Sequence, residues 1–457
     1  MDYTLTITGE DEAFLRQAIF SRPGLEGAAY LLCGRSQTSN ELRFLVREVV
    51  PVADRDYLVR EPYRLSIGSP SYVAVAKKAA VRGDSIIFVH SHPTGIEDFS
   101  AQDNREEPKL MEFFASRLPD QPHGSLVVVS ESRMRGRVWS GLWLPMTRIR
   151  QIGERFRFVD PYRNDEPIPE FFDRQVRAFG RDIQRLLGRL HVGVVGAGGT
   201  GSAVLEQLVR LGVGTISVFD GERFEPSNVN RVYGSTTRDG GRPKVDIADQ
   251  HLSGIGLGTV IRRYDGSIGI ETIAKALREC DVVFGNTDRQ APRGTLVRLA
   301  LWYLIPVIDT GVKIEAPDGV IRDIIGRVTV LLPGEACLFC RGRISARMIQ
   351  LESLSPEEWK ALADEDYAPE LQDPAPAVIP FTTAVAAQGI SELLHRLTGF
   401  MGADRHSSET LMMFHDRTVR TNRPPPNPEC LCAQRKNWAK GDRRDFLDLM
   451  WPDAQSG

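Results

Sequence analysis

No run of this chain approaches the roughly 20 apolar residues that a membrane-spanning helix needs, which excludes a helical membrane protein. Neither sign of charge is in excess: 57 Lys and Arg stand against 60 Asp and Glu, a net charge of −3. A nucleic-acid partner would call for a basic surplus, and none is there. The first residues, MDYTLTITGEDEAFLRQ, are acidic and polar and lack the apolar core of a secretory leader. The expected location is cytoplasmic. Cysteine is scarce, with six in 457 residues. Four of them form two tight pairs, Cys337 with Cys340 and Cys430 with Cys432. In a reducing compartment such pairs read as a structural Zn²⁺ site more readily than as disulfides. The second pair has one spacer residue in place of the usual two. Internal repeats are absent, and the one low-complexity stretch, NRPPPNP, is a stiff extended spacer.

The remaining composition, 42% hydrophobic and 26% charged, is that of a soluble globular protein. The length suggests two or three domains. Residues 1–150 alternate short apolar strands (LRFLVREVVPV, SIIFVHS, SLVVVSES) with a helix, PSYVAVAKKAAVRG, that Gly83 ends. Residues 151–168 are rich in Pro and acid and are expected to be a linker. From 169 to 457 the pattern changes to a helix, a strand, a glycine turn and a second helix.

The segment VHSHPTGIEDFSAQD concentrates chemistry. Strand side chains alternate faces, so His90 and His92 point the same way, as two ligands of one metal must. Asp103 follows a loop able to fold back, and three protein ligands leave a tetrahedral zinc one open position. The pattern of His-x-His-Pro, then Ser100, then Asp103 is similar to the signature of the JAMM (MPN-type) metalloisopeptidases. The resemblance implies that His90, His92 and Asp103 bind zinc. It further implies that Glu26 in PGLEGAAYLLCG is the general base, with Glu12 and Glu48 as alternatives, and that Ser100 stabilises the oxyanion. Zinc acidifies water, and a carboxylate within reach takes the proton.

The second constellation is LHVGVVGAGGTGSAVLEQLVRLGVGTISVFD. Its glycines Gly196, Gly198, Gly199 and Gly201 let the backbone approach a phosphate, and Asp220 follows at the spacing that suits ribose hydroxyls. Alone this reads as a nicotinamide site. The residues that follow, Asn228, Asn230, Arg231 and Lys244, and then Asp288 at the end of CDVVFGNTD, suit ATP instead. Arg and Lys neutralise charge on departing pyrophosphate, and a carboxylate can hold Mg²⁺. With Arg174 and Gln175 in DRQVRAFG and the paired cysteines, this half resembles the ThiF/MoeB adenylating family, which shares its fold with ubiquitin-activating enzymes. Glu222 stands where the family's second acid is usual.

The two resemblances together imply an α/β chain: an N-terminal cytidine-deaminase-like α/β/α domain and a C-terminal Rossmann-like adenylation domain. Asp220 would hold ribose, Arg231 and Lys244 the phosphates, and Asp288 the Mg–ATP and acyl-adenylate. Arg174 would reach a neighbouring protomer's nucleotide, which implies a homodimer. The implied partner is a ubiquitin-like protein with a Gly-ended tail, adenylated by one site and cut after its tail by the other, in a bacterial ubiquitin-like modification system. The segment after the first cysteine pair holds no cysteine, whether by nature or through a Cys-to-Ala replacement as in DPAPA, so either the enzyme only adenylates or the acceptor thiol is on a separate conjugating protein. Cys33 and Cys280 read as buried small residues. Sulfur-carrier trimming and adenylation for cofactor synthesis fits the same residues. A non-catalytic binding module and a NAD-binding protein are the readings from other classes.

Overall fold

The structure, a computed structural model, describes residues 1–161, 167–352, 354, 358, 376–403, 405–442 and 446–449. The chain forms two compact units. The first comprises residues 1–165, 302–304 and 435–444. Its elements are β1 (Asp2–Thr8), α1 (Gly9–Ile19), β2 (Ala28–Gln37), β3 (Glu41–Pro51), β4 (Tyr57–Glu61), β5 (Arg64–Ile67) and α2 (Ser69–Arg82). They continue with β6 (Ser85–Ser91), α3 (Ala101–Arg117), β7 (His123–Val128), β8 (Met134–Trp139), β9 (Trp143–Ile152) and β10 (Arg157–Val159).

The main sheet runs β1-β3-β2-β6-β7-β8-β9-β10, and β9 also pairs with β1, from Thr4 opposite Arg148 to Thr8 opposite Ile152. That pairing leaves β1 without an open edge. Strand alternation sorts the core into two layers. Ala29, Leu31, Cys33, Ile87 and Val89 pack with Leu15 and Ile19 of α1. Ala28, Tyr30, Leu32, Ile86 and Phe88 pack with Val75 and Ala79 of α2 and with Met111 and Phe114 of α3. The expected helix is α2, and Gly83 ends it with φ 64°, a left-handed cap that suits glycine.

The unit departs from the expected boundaries at two places. Part of the 151–168 segment is sheet, because Ile152 and Phe156 are apolar and buried, and β10 pairs with β9. Only residues beyond about Asp160 have the polar character of a linker; 162–166 lie outside the described residues. The second departure is a strap of residues 435–442. The Gln37 amide donates to Asp442 Oδ2 at 2.6 Å, and the Asp442 amide donates to Arg35 O at 2.7 Å. Arg47, ion-paired with buried Asp84, also donates to Ala439 O at 3.0 Å.

The second unit comprises residues 166–301, 305–434 and 445–457. Its strands are β11 (His191–Val195), β12 (Thr215–Phe219), β13 (Val260–Tyr264), β14 (Val282–Gly285), β15 (Val307–Glu315), β16 (Asp323–Leu331), β17 (Glu409–Met413) and β18 (Thr418–Asn422), in the order β13-β12-β11-β14-β15-β16-β17-β18. Pairings from β13 to β15 are parallel and the rest antiparallel. Val192, Val194, Ile216, Val218, Val282 and Phe284 are fully buried, as parallel strands covered on both faces require. The helices are α4 (Asp173–Phe179), α5 (Arg181–Leu187), α6 (Gly199–Arg210), α7 (Lys244–Ile255), α8 (Glu271–Ala274), α9 (Gln290–Trp302), α10 (Ala346–Glu352) and α11 (Ile379–Thr398). The chain winds outward from β11 to β13, then returns to β14 on the other side. That reversal opens a crevice beyond the carboxyl ends of β11 and β14, the place where open α/β sheets take ligands.

Candidate functional site

In the first unit, Ile86, Phe88 and His90 share the sheet face that α3 covers. Asp103, Glu107, Met111 and Phe114 recur along α3 at the spacing of one helical stripe, polar at the start and apolar after. Docking that stripe brings the acids to His90. The Nε2 atoms of His90 and His92 lie 3.1 Å apart, with Asp103 Oδ1 at 3.4 Å from the first and Oδ2 at 3.6 Å from the second. His92 Nδ1 lies 2.8 Å from the carbonyl of Ile96, which only accepts, so the Nδ1 carries the proton and Nε2 is a bare acceptor. The ring nitrogens and the Asp103 carboxylate thus gather with ligand atoms within 4.8 Å of one another. That donor set fits a divalent metal such as zinc.

Electrostatics agrees. Burial opposes ionisation of Asp103, but hydrogen bonds and charge from His90 and His92 outweigh it and hold the carboxyl well below its ordinary range. His90 is shifted upward: burial pulls it down, and Asp103, Glu107 and Glu26 more than compensate. The place therefore favours positive charge.

Of the three candidate glutamates, Glu26 is the one beside the histidines, with Oε1 4.0 Å from His92 Nε2. Burial pushes its carboxyl up to about 7, against the pull of both histidines. Glu12 packs near Arg16 on α1, and Glu48 pairs with Lys78 and Arg82 of α2. Ser100 is the N-cap of α3: its Oγ accepts the Asp103 amide at 3.1 Å, and Asp103 Oδ2 accepts the Ser100 amide at 2.6 Å. This reciprocal cap orients Asp103. Sequence reasoning missed Glu107, whose Oε1 lies 3.4 Å from His90 Nδ1. Its place one helical turn after Asp103 was the available signal.

In the second unit the glycine turn joins β11 to α6. Gly196 has φ 91°, and a Cβ there would meet Asn286 O at 2.8 Å. A Cβ on Gly201 would meet Gly196 O at 1.8 Å, so only glycine lets helix and strand approach this closely. Asp220 follows β12; its Oδ2 accepts the Ala197 amide at 2.7 Å and its Oδ1 the Glu222 amide at 2.8 Å. Burial raises its pKa despite these bonds and the nearby Lys244. Asn286 follows β14 and bonds to Thr310 Oγ1 at 2.6 Å, while its buried Nδ2 has no partner among the described residues. Three adjacent strand ends thus contribute a glycine turn, a carboxylate and a spare amide donor, a set that fits a nucleotide.

Lys244, at the start of α7, is buried and paired with Glu222. Burial raises the Glu222 pKa, but Lys244, Arg289 and Arg231 prevail and lower it. Arg231 packs along Gly199 and donates to Ser227 O at 2.6 Å. Asn228 is engaged locally, its Oδ1 accepting the Glu225 amide at 3.1 Å. Asn230 and Asp288 are exposed. Arg174 is exposed on α4, while its neighbour Gln175 donates to Arg210 O at 2.6 Å. Part of the cysteine-free segment after the first cysteine pair, including residues 373–375 of DPAPA, lies outside the described residues.

All four paired cysteines converge. The Sγ separations are 3.6 Å for Cys337–Cys430, 3.5 Å for Cys340–Cys432 and 4.0 Å for Cys337–Cys340. Four thiolates tetrahedral about zinc at about 2.3 Å would sit about 3.8 Å apart, so the short second spacer is accommodated. Cys33 and Cys280 are fully buried. Among the described residues no helix is long and apolar enough to cross a membrane.

The sequence profile of the ThiF family matches residues 172–433, more than half of the chain. The chain belongs to the ThiF family. The ThiF match covers the glycine turn, Asp220, Lys244 and all four converging cysteines; residues 1–171 precede it. The sulfur carrier protein adenylyltransferase of Thermus thermophilus is 37% identical over 109 residues, 24% of this chain and 40% of that one. The ubiquitin-activating enzyme E1 1 of Candida albicans is 24% identical over 229 residues, 46% of this chain and 22% of that one. The molybdopterin-synthase adenylyltransferase of Escherichia coli is 28% identical over 178 residues, 38% of this chain and 68% of that one. The chain thus spans less than half the length of the first two relatives.

Proposed function

We propose that the second unit adenylates the C-terminal carboxylate of a ubiquitin-like or sulfur-carrier protein whose tail ends in glycine. The observation that carries this reading is the meeting of the Gly196–Gly201 turn, Asp220 and Asn286 at three adjacent strand ends. Mg–ATP supplies an α-phosphorus that the carboxylate oxygen attacks as the bond to pyrophosphate breaks. In this reading Asp220 accepts from ribose hydroxyls, Lys244 and Arg231 neutralise phosphate charge, and Asp288 serves the Mg²⁺ and the acyl group. Asn228 holds the Arg231 turn and Asn230 borders it. Arg174, exposed on α4, is available to a second copy, in keeping with a homodimer. Relatives named for a sulfur carrier and for ubiquitin activation support the same substrate class. The four cysteines hold a structural zinc. ATP–pyrophosphate exchange tests the reading: it should need both a Gly-ended carrier and Asp288. Exchange without a carrier, or undiminished in Asp288→Ala, would overturn it, as would binding of NAD in place of ATP.

For the first unit the reading is a zinc-dependent hydrolase that cuts after the carrier's tail, trimming a precursor or releasing a conjugate. Its support is the gathering of His90, His92 and Asp103 with Glu26 alongside. Zinc, when bound, polarises a carbonyl and acidifies water. Glu26 is placed to take the proton, and the Ser100 hydroxyl to donate to the developing oxyanion. Cleavage of a carrier extended beyond its glycine should fall by about 10²–10⁴-fold in Glu26→Gln. Equal cleavage by that variant would remove the assignment.

A further inference from the structure

We propose that Glu107 is a positioning residue that fixes which nitrogen of His90 is free to bind metal; the inference rests on the metal-centre reading above. The argument is one of donors and acceptors. Glu107 Oε2 is occupied twice, by Ser125 Oγ at 2.6 Å and by Arg137 at 2.5 Å. Arg137 is itself held, donating to Asn104 Oδ1 and to Ser125 Oγ at 3.1 Å, with its guanidinium stacked over Phe99 and Trp143. The carboxylate therefore cannot turn. Its other oxygen, Oε1, and His90 Nδ1 are both buried, and neither makes a regular hydrogen bond to any described residue. They face one another at 3.4 Å.

A buried carboxylate oxygen only accepts, so its charge beside Nδ1 holds the His90 proton on that nitrogen. The Nε2 lone pair is then left facing His92 and Asp103. His92 reaches the same state by another route, through the Ile96 carbonyl. The two rings thus present matching nitrogens, and outer partners of this kind orient a metal-binding histidine.

Glu107→Gln separates this role from mere packing. Arg137 and Ser125 both donate, so they hold the glutamine carbonyl and turn its amide NH₂ towards His90. That donor calls for a lone pair on Nδ1 and drives the proton to Nε2. The full-length protein is stripped of metal and titrated with zinc against a competing chelator, and with cobalt by its visible spectrum. Melting of the metal-free protein is measured alongside. Wild type should hold one equivalent that His92→Ala loses. Glu107→Gln should bind that equivalent about 10–100-fold more weakly, with the cysteine site and the metal-free melting unchanged.

Wild-type affinity in Glu107→Gln overturns the inference and leaves the metal centre standing. Equal stoichiometry in wild type and His92→Ala overturns the metal centre itself. Should metal-free melting also fall, Ser125→Ala decides. Ser125 helps to hold Glu107, so a loss of affinity there smaller than that of Glu107→Gln supports the inference, whereas full wild-type affinity in Glu107→Gln at a temperature where the variant is folded overturns it.

Discussion

Lys244 and Glu222 are joined twice: the Lys244 amide donates to the Glu222 carbonyl at 3.2 Å, and its ammonium is paired with the Glu222 carboxylate. The main-chain link sets where α7 begins, and the side-chain link holds the buried ammonium against the Glu222 carboxylate, near Asp220. Lys244→Ala is expected to lower ATP–pyrophosphate exchange by about 10²–10³-fold, the loss typical of one charge that stabilises a transition state. Glu222→Gln keeps the main-chain link and should change exchange by less than about tenfold. Steady-state exchange kinetics check both, with circular dichroism to show that the fold persists.

The cysteine cluster draws two segments together across some ninety residues, since Cys337 and Cys430 are 93 apart in sequence. Cys430→Ser should lose one equivalent of zinc. A loss of about 3 kcal/mol there would lower the Tm of the second unit by on the order of 6–12 °C. Metal analysis and calorimetry measure the two effects, and zinc loss without a Tm change would make the site dispensable for stability.

His123 gives a pH dependence with a definite sign. It is buried, its Nδ1 accepts the Ile86 amide at 3.1 Å, and burial pushes its pKa down to about 4. Well above pH 6.5 both the folded and the unfolded chain leave it neutral. As pH falls from 6.5 towards 4, the unfolded chain takes a proton that the folded one refuses, so stability declines. The limit is about 1.4 kcal/mol per pH unit. His123→Asn keeps an acceptor for Ile86 and does not titrate. Urea unfolding between pH 6.5 and 5 should show a smaller slope in the variant, and equal slopes would refute the assignment.

Gly441 holds the strap against β2. Its φ is 63°, and a Cβ there would meet Arg35 O at 2.0 Å. Gly441→Ala should destabilise the first unit by about 2 kcal/mol or more, adding left-handed strain to a backbone clash. Faster proteolysis within residues 435–442, seen by mass spectrometry, is the direct readout.

Much of each site was legible because it is local. The alternation of SIIFVHSH put His90 and His92 on one face, and the glycine turn needed nothing beyond its own strand and helix. Ser100 was recognised for chemistry, whereas its capping of Asp103 emerges only with the helix in place. The resemblance favoured Glu26 but left Glu12 and Glu48 as alternatives, because the choice depends on which part of β2's approach meets β6. Glu107 was missed although it stands one turn from Asp103, since its partner is thirty residues away on β8.

The sequence by itself determined the strand and helix periods, the glycine geometry, the ligand types and the cysteine pairs, all properties of neighbours along the chain. Tertiary structure decided which α3 stripe meets His90, which glutamate stands beside His92, and that residues 435–442 return to β2. Those outcomes depend on burial, which makes an unpaired donor or acceptor costly and so selects partners that are distant in sequence.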